Sequence, residues 1–176
     1  MFESILTDNN MLVNVQIEAA RTYQDWAAAD KVENYTLAIR GDRPDKKTNK
    51  NTIWGWSKLA TISAQQMYRG PEYKEKYKDT FHEARYSMAR ARYEQAMRRA
   101  GNAQEQYLKR AQIVISSTFG LYPDLGGPAW RSKYDALLKR IQKSLGQETN
   151  GLESLTTKSA GSATGRLRPD LARRTA

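Results

Sequence analysis

The chain has 176 residues, 29 Lys or Arg against 19 Asp or Glu, a formal charge of +10, and the length of one domain able to bury a core unaided. It holds no Cys, which excludes a disulfide framework, a zinc–thiolate site and a cysteine nucleophile. No apolar run nears the ~20 residues of a membrane span, and the opening MFESILTDNN, acidic at Glu3 and Asp8, lacks the basic start of a secretory signal, so the default expectation is cytoplasmic.

Aromatic residues recur at helical spacing and strand-like alternation is nearly absent, which predicts an all-α fold of about six helices. Residues 1–10 read as an N-terminal extension. The first helix runs from about Leu12 to Ala29, capped by Asn10, with Leu12, Val15, Ala19, Tyr23 and Trp26 along one face. A short second helix follows from Asp30, with Val32, Tyr35, Ala38 and Ile39 inward and Gly41 as its stop. The segment GDRPDKKTNKN over residues 41–51 is an exposed basic loop.

Thr52 is placed to cap a third helix carrying Ile53, Trp56, Ala60, Ser63 and Met67, closed by Gly70-Pro71. A charged lead-in, EYKEKYKD, feeds a longer helix through Arg99, with Phe81, Ala84, Met88 and Ala91 on one stripe and Ala89, Tyr93 and Ala96 on another. Gly101-Asn102 interrupts, and the next helix carries Tyr107, Ala111, Val114, Thr118 and Tyr122. After the turn Pro123-Asp124-Leu125-Gly126-Gly127, Pro128 opens a last helix with Trp130, Tyr134, Leu137, Ile141 and Leu145 inward, closed by Gly146. Residues 147–176 contain no aromatics and predict a disordered, basic C-terminal tail.

Paired helices raise the question of a repeat. Trp56, Leu59 and Ala60 have the spacing of the first tetratricopeptide (TPR) helix, as do Ala20 and Tyr23; Tyr35 with Ala38 has that of the second, and Ala111 through Ile115 to Pro123 that of a repeat's end. The strings VQIEAARTYQDWA, IWGWSKLA, FHEARYSMARARYEQA and YPDLGGPAWRSKYDALLKRIQKSLG resemble the C-terminal part of large TPR-like proteins of planctomycete-type bacteria. The resemblance spans residues 11–146. It implies a right-handed helical-hairpin repeat, a TPR-like α-solenoid, with a protein-binding or scaffolding role and no catalytic residues to carry over. Ser63 and Arg92 stand where the repeat pattern has Tyr.

No chemical constellation stands out. His82 is the only histidine and reads as a surface or cap residue, so a two-histidine metal site is excluded within one chain. Glu72, Glu75, Asp79 and Glu83 interleave with Lys74, Lys76 and Lys78 as helix-surface ion pairs. The 41–52 segment lacks the Gly-Lys-Ser/Thr junction of a phosphate-binding loop, and Gly126-Gly127 follows no strand, so neither predicts a nucleotide cofactor. No cofactor, metal, catalytic residue or small-molecule substrate is expected.

The most specific polar pattern is Arg85, Arg92 and Arg99, seven residues apart along one side of the long helix. They read either as a solvated face or as an anion-recognising ridge. Trp54 and Trp56 read either as one exposed anchor beside one buried ring, because near-adjacent helical positions cannot all point inward, or as two rings packed on different neighbours inside a solenoid. The tail adds Arg166, Arg168, Arg173 and Arg174. Charge is polarised: residues 1–40 carry three basic and six acidic side chains, net −3, and the other 136 carry 26 and 13, net +13. The leading expectation is a non-enzymatic protein-interaction or scaffolding module, through a protein partner or self-association. The alternatives are a basic nucleic-acid-binding or polyanion-binding protein, whose affinity would fall with salt, and a structural subunit of a larger assembly.

Overall fold

The computed structural model describes residues 12–29, 31–47 and 51–156. The N-terminal extension, the Asn10 cap, the start of the second helix at Asp30 and the tail arginines Arg166, Arg168, Arg173 and Arg174 lie outside them. The fold is all-α, and the described residues contain no strand. Among the described residues six helices of seven residues or more follow in order: α1 Val13–Ala29, α2 Asn34–Arg40, α3 Gly55–Met67, α4 Pro71–Met97, α5 Gly101–Leu121 and α6 Pro128–Ser144. The 27-residue α4, about 40 Å long at ~1.5 Å per residue, is the spine; α2, α3, α5 and α6 all pack on it.

The inward face of α1 is rotated from the one its apolar spacing predicts. Leu12 and Trp26 are exposed, while Gln16, Ala19, Ala20, Gln24 and Ala27 are buried. The alanines let backbones approach closely, and the glutamines are buried because each meets partners that need it. Gln16 Nε2 donates to the Thr52 carbonyl (2.8 Å), and its Oε1 accepts the Trp54 backbone N–H (2.9 Å). Gln24 Oε1 accepts the Trp56 indole N–H (2.9 Å). Buried polar groups persist where they are paired in this way.

The 41–54 connection is clamped at its base. Gly41 and Gly55 both have positive φ (80° and 65°), and a Cβ on either would strike backbone of the other strand of the loop. Asp42 donates its N–H to the Ile53 carbonyl (3.2 Å) and accepts the Thr52 N–H on Oδ2 (3.2 Å). Thr52 therefore does not cap α3, which begins three residues later with Trp54 at the N-cap position.

The charged lead-in EYKEKYKD is helical. Pro71 sits at the first position of α4, where its missing N–H costs nothing, Glu72 faces the positive helix end, and Lys78 pairs with Glu75 (3.8 Å). Between α5 and α6, Leu125 takes a left-handed conformation (φ 52°) that turns its side chain fully into the core.

The expected tail does not begin at Gln147. Residues 147–156 fold back on α6: Asp135 Oδ1 accepts the Leu152 N–H (2.9 Å), Gln142 Oε1 accepts the Gly151 N–H (2.8 Å), and Leu152 is 3% exposed. Burial alone would raise the Asp135 carboxyl, but Lys139 and the Leu152 N–H hold it below its ordinary value. Composition missed this segment because two α6 side chains satisfy its backbone and one leucine suffices to anchor it.

Candidate functional site

The arginines of the expected ridge meet three different environments. Seven residues complete nearly two turns, so Arg85 and Arg92 lie along one side, whereas α4 ends at Met97, before Arg99. Arg85 lies half-buried in the seam with α5, where its Nε donates to Thr118 Oγ1 (2.8 Å) and its Nη2 to the Val114 carbonyl (3.0 Å) and Ser117 Oγ (2.6 Å). Burial pushes its guanidinium down from the ordinary value. An arginine nonetheless stays charged in a protein, so the shift expresses the cost of burying the cation, which the three acceptors offset. Arg85 is a clamp between helices and is not free for a partner, which corrects its place in the expected ridge. Arg99 is exposed just past the end of α4.

Arg92 faces a cavity of about 120 Å³ between α2, α4 and α5. Each helix contributes residues one turn apart: Thr36 and Arg40 from α2, Arg92 and Gln95 from α4, Tyr107 and Arg110 from α5. The Arg110 guanidinium lies 5.6 Å from the Tyr107 ring centroid. No carboxylate lines the cavity, and none of its three arginines has an ion pair among the described residues. Burial, and then the positive charges of Arg110, Arg40 and Arg85, push the Arg92 guanidinium down.

Sequence spacing singled out Arg92 but not Arg40, Arg110, Thr36, Gln95 or Tyr107. Their only linear signal is one-turn spacing within each helix, which many solvent-facing pairs share.

The tryptophans are not anchors. Trp54 and Trp56 are each 1% exposed. The expectation of one exposed ring assumed that both sit in a helix. Gly55, with its positive φ, instead opens α3, so Trp54 precedes the helix and escapes the ~100° step between successive helical residues.

His82 is likewise not a surface residue. It is 1% exposed, with ring centroids of Phe81 at 5.1 Å, Tyr122 at 6.0 Å, Tyr134 at 6.1 Å and Trp130 at 6.4 Å. The Tyr134 hydroxyl donates to the His82 carbonyl (3.0 Å). Burial lowers the imidazole to about 4, so it is neutral near pH 7. Burial also raises the Tyr134 phenol. Among the described residues no cluster of three or more His, Asp or Glu side chains could hold a metal, and no helix is long and apolar enough to cross a membrane.

A second, larger concavity of about 470 Å³ runs between α4 and α6. Tyr86, Tyr93 and Leu137 line it, with Arg90, Lys133 and Arg140 against a single carboxylate, Glu94. Tyr86 is braced edge-on by Tyr134 at 5.6 Å, Lys133 lies 4.3 Å from the Trp130 centroid, and Arg90 pairs with Glu94 at 2.6 Å. Both concavities present cations and aromatic rings, the groups that recognise anionic and flat apolar surfaces. Comparisons of the chain with family models, curated proteins and solved structures found no match.

Proposed function

We propose that the chain is a non-enzymatic protein-interaction module of TPR-like helix pairs that takes an acidic segment of a partner protein in the α4–α6 groove. The observation that carries this reading is the groove lining: two tyrosine rings and Leu137, with three cations against one carboxylate. Tyrosine and arginine dominate the energetics of protein interfaces, because each offers rigid or forked contact area at a polar edge. The local charge selects an acidic occupant. Layered packing supports the helix-pair reading: α1, α2 and α4 each touch both the next helix and the one after it.

The test uses the full chain and two labelled probes, a peptide alternating Glu with Phe and Leu, and a single-stranded oligothymidine. The acidic peptide is expected to bind in fluorescence anisotropy, and Arg140→Glu and Tyr93→Ala to weaken it by about tenfold each, the scale of an interface contact worth more than 1 kcal/mol. Tighter binding of the oligothymidine than of the peptide, or peptide binding indifferent to both substitutions, would overturn the proposal in favour of a polyanion binder or another surface.

A further inference from the structure

The cavity between α2, α4 and α5 holds its cations unlike the other buried or paired arginines described. Arg85 has three acceptors, Arg90 has Glu94, and Arg21 has Glu18 and Glu83. Half-buried Arg92, with exposed Arg40 and Arg110, instead lines one small space with no carboxylate in its wall. Like charges held together beside a half-buried guanidinium are unfavourable unless something anionic joins them. The cavity shares no lining residue with the α4–α6 groove, so it stands apart from the function proposed there.

We propose that Arg40, Arg92 and Arg110 form a binding site for one phosphoryl-type oxyanion, with Thr36, Gln95 and Tyr107 completing its hydrogen bonds. Arginine forks bind phosphate oxygens bidentately. Gln95 is 3% exposed, lines the cavity, and has no side-chain hydrogen bond among the described residues, so its amide has a donor to offer. The hydroxyls of Thr36 and Tyr107 supply two more.

Size and charge narrow the ligand. A cavity of about 120 Å³ is smaller than the ~150 Å³ that accommodates a benzene ring, so the site takes one anionic group and leaves any base or sugar outside. A phosphomonoester carries about −1.5 to −2 charges near neutral pH and three strong acceptor oxygens. It therefore answers three cations better than a single carboxylate does. Three packed helices fix the backbone positions from which the donors reach the ligand.

The experiment is calorimetric titration of the full chain with inorganic phosphate and with O-phosphoserine at constant ionic strength, with chloride and acetate as controls. Saturable binding of the phosphates is expected, weakened about tenfold or more in Arg92→Gln and in Arg110→Gln, the loss expected for one charge-assisted hydrogen bond. The groove variant Arg140→Glu is expected to leave it unchanged, which separates this site from the proposed interaction groove. O-phosphoserine binding more tightly than inorganic phosphate marks a phosphorylated side chain as the source, and the reverse order marks the free ion. No saturable heat beyond that of chloride, an equal response to acetate, or phosphate affinity untouched by Arg110→Gln overturns the proposal. Arg110 is exposed, so its variant decides the matter even where Arg92→Gln fails to fold.

Discussion

Arg85 and Arg92 stand nearly two turns apart on the same side of α4, and the helices around them make opposite use of the same side chain. At Arg85, α5 turns two hydroxyls and a carbonyl toward the guanidinium. At Arg92, α5 supplies Tyr107 and Arg110, and α2 adds Arg40. One cation is consumed by the fold and the other remains available. The role of an arginine is thus set by the acceptors that face it across the helix interface, and its position along its own helix says little.

The sharpest way to break this contrast is to unfold the closed end with acid. His82 lies one helical turn before Arg85, in the aromatic cage, and its imidazole is pushed from the ordinary 6.5 to about 4 by burial. The unfolded chain binds that proton more readily than the folded one. The contribution of His82 to stability is therefore fully present above pH 6.5, declines as the pH falls, and is lost by about 4, with a total of at most ~3 kcal/mol. Urea midpoints across that window should fall more steeply for the native chain than for His82→Gln, and parallel curves would show that His82 is not held neutral.

A smaller effect follows from the clamp itself. Arg85→Leu is expected to cost about 2 kcal/mol in urea unfolding, because hydrogen bonds from a charged group vanish and the Thr118 hydroxyl loses its guanidinium donor. Arg92→Leu should give the smallest change, within about 0.5 kcal/mol in phosphate-free buffer, since it removes a cation that lacks a carboxylate and sits among like charges. Equal costs at the two positions would erase the distinction between a clamped and an available arginine.

Much of the architecture was legible as periodicity. α1 and α6 fall within a residue or two of the spans read from apolar spacing, and Gly41, Pro71 and Pro128 mark real boundaries, whereas Gly101 and Asn102, read as an interruption, are the first residues of α5. Apart from the early start read for α3, the misreadings share one cause, which is that spacing identifies a face but not its neighbour. Gln16 and Gln24 look solvent-facing until Trp54 and Trp56 arrive to bond them. Residues 147–156 look structureless until Asp135 and Gln142 accept their N–H groups. His82 looks like a surface residue until four aromatic rings close over it.

By itself the sequence determined that the chain is helical, where most helices begin and end, and that Arg85 and Arg92 share a side of the longest one, because these follow from local propensity and from the ~3.6-residue turn. Only the tertiary structure decided which of those arginines is clamped and which faces open space. That outcome depends on residues 40 and 110, brought beside residue 92 by packing α2 and α5 on α4, and on the absence of any carboxylate in the same wall. For Arg85 and Arg92 the compensating groups come from neighbouring helices, so the spacing along α4 does not encode them.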